Sequence, residues 1–288
     1  MQTDLSGKKW PEELTKSEAI SFLHIPPKHF ENYFRFSKEI PSFKQLGRWY
    51  FKKIDLEKWR TLKETRTVVL NLQQYEECFE FAIRMVYSST GHHGTGIRGE
   101  RSEMQAADDW ILGILAEFAL KKFLKERFDT EIKLDTEVHP GFITPQDVDE
   151  VVEKGVERKP HICVAVKASK IKSCYLVVPE IEYEKEDRKS DVYVFARVGL
   201  PSDHLFRFLR DHSFIKRARE FLEKDDRLRK IGTLEDVKVW LCGFVEHKDL
   251  DKVAEIPGQV FSKGYRYVKS VAEMRNSDED WKAFVQML

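Results

Sequence analysis

Hydrophobic residues recur along this chain with two different spacings. In DDWILGILAEFALKKFLKERF, residues 108–128, they fall three or four positions apart, which predicts one long amphipathic helix beginning near Glu103. Further along, VAVKASK, SCYLVVPEI, DVYVFARVGL and VKVWLCGFVE are short apolar runs separated by charged turns and by one helical stretch. Such runs are typical of β-strands. We therefore expect an α/β fold in which helices flank a mixed β-sheet.

The first sixty residues have a different organisation. Thr15 is followed three residues later by Glu18, a capping box that predicts a short helix. The proline pair at 26–27 ends that helix and favours the start of a second one. The segment IPSFKQLGRWYFKK then alternates apolar and polar residues around Gly47, which predicts a hairpin leading into a third helix at Ile54.

This order of elements, over residues 14–59, resembles the winged helix-turn-helix of the MerR and excisionase family. The resemblance implies binding to double-stranded DNA, with the second helix in the major groove and the hairpin on the backbone. The polar side of that second helix presents Lys28, His29, Asn32 and Arg35, of which the resemblance assigns the first three to base reading. It assigns phosphate contacts to Lys44, Arg48 and Lys52. A solvated charged face, or a protein-binding version of the fold, is the alternative.

Composition limits the class of protein. The 49 basic residues balance the 49 acidic ones, so total charge argues neither for nor against a nucleic-acid partner. The four cysteines are scattered without a C-x-x-C pair, which favours buried thiols in a reducing cytoplasm over a zinc site. No apolar stretch approaches the ~18 residues that cross a bilayer, so we expect no membrane partner.

Charged residues interrupt the apolar pattern at three places. Glu117 lies inside the most apolar part of the long helix, Asp147 and Asp149 precede a glycine-containing turn, and Lys167 lies within an apolar strand. Alternation along that strand places Lys167 and Ala165 on the same face. Because a buried lysine is costly unless it is paired, we expect the three acids nearby. Taken singly, each residue has an ordinary structural explanation as a stripe edge, a turn cap or a strand end.

This order of a helical glutamate, an aspartate before a hairpin and a strand ending in x-x-Lys resembles the PD-(D/E)XK nuclease superfamily. The resemblance covers residue 103 to the C-terminus and implies a restriction-endonuclease-like sheet. It implies that Glu117, Asp147 and Asp149 are the candidate ligands of Mg²⁺, or of Mn²⁺ as a substitute, and that Lys167 is the catalytic lysine. In that family an acid usually stands two residues before the lysine, and in this chain that position is Ala165. Either Glu117 supplies that carboxylate, or position 165 has been changed to silence the enzyme, or the domain binds DNA without cutting it.

The sequence therefore predicts a winged helix-turn-helix domain at 1–62, a helical connection with a glycine-rich loop at 63–102, and a nuclease domain at 103–288. The expected function is that of a Mg²⁺-dependent, restriction-like DNA endonuclease, and analogy suggests a homodimer because two strands must be cut. One alternative is a DNA-binding regulator with an inactive nuclease-like domain. Another combines a protein-docking module with an enzyme acting on a different phosphodiester.

Overall fold

The computed structural model describes residues 10–88, 102–136, 147–186, 188–261 and 264–288. The fold is a mixed α/β arrangement with several sheets. The described α-helices are α1 (Lys16–Leu23), α2 (Pro27–Glu31), α3 (Lys53–Thr65), α4 (Leu72–Tyr87), α5 (Glu103–Phe128), α6 (Glu180–Glu184), α7 (His204–Phe208), α8 (Ser213–Leu222) and α9 (Asp278–Met287). No helix in these ranges is both long and apolar enough to cross a membrane.

The N-terminal segment, residues 10–65, contains short helices, a hairpin and a third helix in the predicted order. Thr15 caps α1 through the reciprocal bonds of a capping box with Glu18, and α2 continues into a π-helical turn, Asn32–Phe36. The segment's strands are β1 (Glu13–Thr15), β2 (Phe43–Gln45) and β3 (Arg48–Lys52). β3 lies between the other two and is antiparallel to both.

The central sheet has four strands in the order β4-β11-β10-β8. Its members are β4 (Thr67–Leu70), β8 (Val164–Lys170), β10 (Val192–Val198) and β11 (Val237–Glu246). β8 runs parallel to β10, and the other neighbours are antiparallel. The sheet is therefore mixed, as the sequence predicts.

Smaller sheets flank the central one. One contains β5 (Glu131–Lys133), β6 (Glu150–Glu153) and β7 (Val156–Arg158), and a second contains β9 (Tyr175–Pro179), β12 (Asp251–Val253) and β15 (Arg266–Ser270). The hairpin of β13 (Glu255–Ile256) and β14 (Gln259–Val260) completes the described strands. β5 and β6 lie on either side of residues 137–146, which are outside the described ranges.

The two faces of the central sheet pack against different parts of the chain. Val192, Val194 and Ala196 of β10 point into an apolar cluster with α4, α5 and α9. Tyr193 and Phe195 point the other way, into a cluster that includes most of the buried residues of the N-terminal segment. Because strand side chains alternate, a strand buried on both faces is apolar throughout. The N-terminal segment thus forms a layer on the sheet.

Residues 63–88, which the sequence predicts to be part of a connection, belong to the central sheet and to the helical layer beside it. The predicted boundary at residue 62 falls inside α3, and the next residues form β4, which pairs with β11. α4 then packs along α5 in the helical layer. Residues 63–88 are therefore part of the sheet and its covering layer, because their apolar run is long enough for a strand and a helix. The predicted glycine-rich loop lies outside the described residues.

Candidate active site

Glu117 lies on the buried side of α5. Its exposed fraction is 8%, and Ile114 and Leu120, on either side of it along the helix face, both belong to the apolar cluster under the central sheet. The apolar stripe of α5 fixes this orientation by packing across β4, β8, β10 and β11. An acid in such surroundings must be protonated, paired with a cation or bound to a metal ion.

Strand β8 brings the other predicted groups to its outer edge. Among the described residues β8 is the last strand of the central sheet. On the side away from β10, the backbone N–H of Val166 donates a hydrogen bond to Oδ2 of Asp147, 2.6 Å away. The next residue, Lys167, forms an ion pair with Glu182 of α6. Lys167 also acts electrostatically on both Glu117 and Asp147, so these side chains surround one strand edge.

The two acids repel each other in a largely dry environment. Burial, followed by the charge of Asp147, raises the pKa of Glu117 well above its usual value. Burial also raises the pKa of Asp147 to about 6, although Lys167 and the N–H of Val166 oppose the change. Asp135, just after β5, adds further negative charge to both. The local surroundings therefore disfavour a second negative charge.

Lys167 has the opposite electrostatic balance. Burial alone would lower its pKa, but Glu182 and Asp147 raise the pKa above the ordinary lysine value. Its side chain is 27% exposed and that of Glu182 is 22% exposed, so the pair lies at the boundary with solvent. Lys167 is consequently a permanent cation at neutral pH, positioned beside two acids.

Negative charge exceeds positive charge in this group, which contains four acids and one lysine: Glu117, Asp135, Asp147, Glu182 and Lys167. We call it the acidic cluster. A divalent cation would compensate the excess. Across the described ranges, no three Asp, Glu, His or Cys side chains are already arranged as a metal site. Mg²⁺ is commonly bound through only one or two carboxylates, with water and substrate phosphate completing the coordination. Glu117 and Asp147 fit that requirement.

Two predicted positions lie apart from the acidic cluster. Asp149 pairs with Lys159, and the two side chains are 43% and 71% exposed. It is not among the groups that shift the pKa of Glu117 or Asp147. Ala165 is on the same face of β8 as Lys167, but it is 6% exposed and packs in the apolar cluster beneath the N-terminal segment. A carboxylate at position 165 would therefore enter apolar packing.

The residues predicted to contact DNA have unequal surroundings. Lys28, Arg48 and Lys52 are exposed, and His29 is half-buried. Asn32 donates a hydrogen bond from Nδ2 to the carbonyl of Lys172, 3.0 Å away in the turn after β8. This contact holds one side of α2 against the second half of the chain.

The remaining two predicted DNA contacts are also engaged. The Nε atom of Arg35 is 2.9 Å from a carboxylate oxygen of Glu31. The ammonium of Lys44 lies 4.8 Å from the ring centre of Trp49. Both cations remain exposed and can still reach a phosphate.

Sequence reasoning missed Asp135 and Glu182 as members of the acidic cluster. Glu182 follows the apolar run YLVVP in the acidic stretch EIEYE. The signal that could have identified Glu182 is an acidic segment at the end of the next strand along the chain after the one that contains the buried lysine. Asp135 had no comparable signal, because its position depends on where β5 ends relative to α5.

A second polar network was also missed. The hydroxyl of Tyr75 and Nδ1 of His204 are 2.6 Å apart, and Nε2 of the same histidine is 2.7 Å from Asp108. Lys170 completes the chain at 3.1 Å from Asp108. The histidine is 3% exposed, so this network joins α4, α5, α7 and β8 internally.

Comparisons with known proteins give no assignment: the chain matches no family model, no curated protein and no solved structure.

Proposed function

We propose that this protein is a Mg²⁺-dependent endonuclease that hydrolyses phosphodiesters of double-stranded DNA, in the manner of a restriction enzyme. The observation that supports this proposal best is the convergence of Glu117 and Asp147, both with raised pKa values, beside the cationic Lys167. Perturbed ionisable groups of opposite sign at one surface-accessible edge are typical of catalytic sites.

Glu117 and Asp147 would hold the metal ion. Burial and mutual repulsion disfavour the ionisation of both carboxyl groups when no cation is present. When a cation binds between them, ionisation of both becomes favourable. A bound Mg²⁺ lowers the pKa of a coordinated water and stabilises charge on the reacting phosphate. The hydrogen bond from the N–H of Val166 fixes one oxygen of Asp147, which leaves its other oxygen for the metal.

Lys167 would stabilise the negative charge that develops on the phosphate. Its raised pKa keeps the ammonium protonated at neutral pH, so it is suited to donating hydrogen bonds and unsuited to removing a proton from water. Glu182 would orient the ammonium through their ion pair. Donors placed in advance at a developing charge are a large source of rate enhancement.

The N-terminal segment would hold the DNA. Lys28, Arg48 and Lys52 are exposed cations on α2 and β3, and phosphate contacts from such side chains supply most non-specific affinity. The contact between Asn32 and the turn after β8 restricts the approach of α2 to a groove. We therefore assign contacts with the DNA backbone to this segment.

Two copies would act together, with α8 as the contact surface. Phe214 and Phe221 are 67% and 65% exposed on one side of α8. If two α8 helices pack antiparallel about a two-fold axis, Phe214 of one copy faces Phe221 of the other. Light scattering should show that Phe214→Asp produces monomers and that adding Phe221→Lys restores the dimer. Dimers that persist in Phe214→Asp would contradict this arrangement.

A DNA-binding regulator is the second candidate. It is favoured by Ala165, which leaves the strand without its expected acid in an apolar environment, and by the lack of a ready-made three-residue metal site in the described ranges. In that case the acidic cluster would contribute to structure alone, and the N-terminal segment would carry the function.

Cleavage of mixed plasmid and phage DNA distinguishes the two candidates. The chain is incubated with Mg²⁺ or Mn²⁺ beside Asp147→Asn, Lys167→Ala and the matched control Asp149→Asn, which changes the same residue type two residues away and outside the acidic cluster. The nuclease proposal expects discrete fragments from the wild type and the control only. Duplex binding without cleavage by any of these proteins would replace the nuclease with the regulator.

A further inference from the structure

A compact group of positive charges lies where the N-terminal segment contacts the turn after β8. Its members are Lys28, His29, Lys63 and Lys172, and we call it the cationic cluster. Burial, then the charges of Lys63, Lys172 and Lys28 in that order, lower the pKa of His29. The cluster therefore brings together groups that repel one another.

Tyr33 is the centre of this arrangement. The His29 ring centre is 6.3 Å from that of Tyr33, and the ammonium of Lys63 is 5.7 Å from the same ring centre. The Tyr33 hydroxyl donates a hydrogen bond to the carbonyl of Ile171 at 2.8 Å, immediately before Lys172. These contacts fix His29 and Lys63 relative to the turn that carries Lys172.

Lys63 is partly buried without a carboxylate partner. Its ammonium lies 5.2 Å from the ring centre of Trp59 and 5.3 Å from that of Trp240. Burial, then the charge of Arg197, lower its pKa, and the charges of Glu39 and Glu64 oppose the change without contacting the ammonium. The aromatic rings offset part of the desolvation cost, but they supply no negative charge.

The other members also lack an acidic partner. In the part of the chain that the structure describes, none of the four side chains forms an ion pair or hydrogen bond with a carboxylate. The positive charge of the cationic cluster is therefore available to an external anion.

We propose that the cationic cluster is a phosphate-binding site, made jointly by α2, α3 and the turn after β8. The tetrahedral oxygens of a phosphate accept hydrogen bonds from several converging donors, and three lysines and an imidazole provide them here. The phosphate could belong to a DNA backbone or to a small free anion, because the donors recognise the same group in both.

The position of the site connects it with the acidic cluster, although the inference does not require nuclease activity. Lys167 and Lys172 are five residues apart on a strand and its turn, so their backbones are at most ~17 Å apart. A duplex lying across the edge of β8 could therefore contact both places. In that case the cationic cluster would fix the register of the DNA relative to Lys167.

Proton NMR of His29 tests the proposal without metal and without cleavage. The pKa of His29, assigned by comparison with His29→Gln, is measured alone, with inorganic phosphate and with a short DNA duplex. We expect the bound anion to raise this pKa toward or above the ordinary histidine value. Lys172→Gln, an exposed position whose substitution leaves the core intact, should weaken phosphate binding by about tenfold.

Lys58→Gln is the matched control, because Lys58 is an exposed residue of the same helix as Lys63. It should leave the affinity unchanged. If both phosphate and duplex raise the pKa of His29, the site binds a DNA backbone. If phosphate alone raises this pKa, the site binds a small phosphorylated ligand. If neither anion moves the pKa of His29, or if Lys172→Gln binds as tightly as Lys58→Gln, the site does not exist. Loss of cleavage in the Lys167 variant would not affect these outcomes.

Discussion

Two ionic groups beside the central sheet differ in how their charges are matched. Arg197 of β10 is fully buried, and its two terminal nitrogens bind the two carboxylate oxygens of Glu39 at 2.9 and 2.6 Å. Its guanidinium also lies 4.8 Å from the ring centre of Tyr33 and 4.6 Å from that of Trp240. In the acidic cluster, four acids share one lysine.

The difference separates a structural role from a chemical one. The Arg197–Glu39 pair is complete in charge and geometry, so it needs nothing from outside and joins the N-terminal segment to the sheet. The acidic cluster is incomplete, and the raised pKa values of Glu117 and Asp147 record that deficiency. A site that is unfavourable alone becomes favourable when a cation and a phosphate enter it.

The largest expected effect follows from breaking the matched pair. Arg197→Met leaves Glu39 buried at 4% exposure without its partner, which should cost about 3–5 kcal/mol of unfolding free energy. Adding Glu39→Gln should recover part of that loss, because the uncompensated charge is removed. Urea unfolding measures both. A single variant no less stable than the double variant would show that the pair does not hold the two layers together.

Removing Lys167 should affect reaction rate more than stability. Lys167→Ala should lower the cleavage rate by roughly 10²–10³-fold, since one donor to a developing charge is typically worth this much. Duplex affinity should stay close to that of the wild type. Gel cleavage and fluorescence anisotropy give the two values, and the exposed Lys159→Ala is the control. Equal rate losses in Lys167→Ala and Lys159→Ala would contradict the assigned role.

Ala165→Glu tests whether the position of the missing acid could belong to the site. The new carboxylate would enter a packed apolar cluster and should lower the unfolding free energy by about 1–3 kcal/mol. We expect no gain in cleavage, because Glu117 already supplies a carboxylate. Thermal unfolding and the cleavage assay read the two effects. A large gain in cleavage by this variant would mean that the wild-type chain is a silenced form.

The smallest expected effect concerns pH. Asp147 has a folded pKa of about 6, above the ~3.9 of an unfolded chain, so the folded state binds more protons between pH 4 and 6. Its contribution to stability is therefore full below pH 4 and is lost as pH rises through 6, by about 1–2 kcal/mol. Asp147→Asn should remove this pH dependence, and Asp149→Asn should keep it. Urea unfolding at pH 4, 5, 6 and 7 gives the comparison. Identical pH profiles for the two variants would refute it.

The sequence predicted the elements better than their contacts. Alternation and helical spacing were enough to locate α5, β8, β10 and β11, because both patterns are local. The same patterns marked Glu117 and Lys167 as candidates, since each is a charge within an apolar run, whereas Asp147 became a candidate only through its place in the order of acids along the chain. The sequence could not predict that Asp147 lies in the acidic cluster and Asp149 does not. The two residues belong to one short segment and differ only in which distant parts of the chain they contact. Glu39 and Arg197 are 158 residues apart, and no local pattern connects them.

Calorimetric titration with Mn²⁺ tests the central claim most directly, because it measures cation binding at the acidic cluster without requiring a DNA substrate. The wild-type chain and Asp149→Asn should bind Mn²⁺ with equal affinity at pH 7. Asp147→Asn and Glu117→Gln should each lose most of that affinity, and wild-type binding should weaken toward pH 5 as the two acids take up protons. Equal Mn²⁺ binding by all four proteins, or none by the wild type, would contradict the assignment of this cluster as a metal-dependent active site.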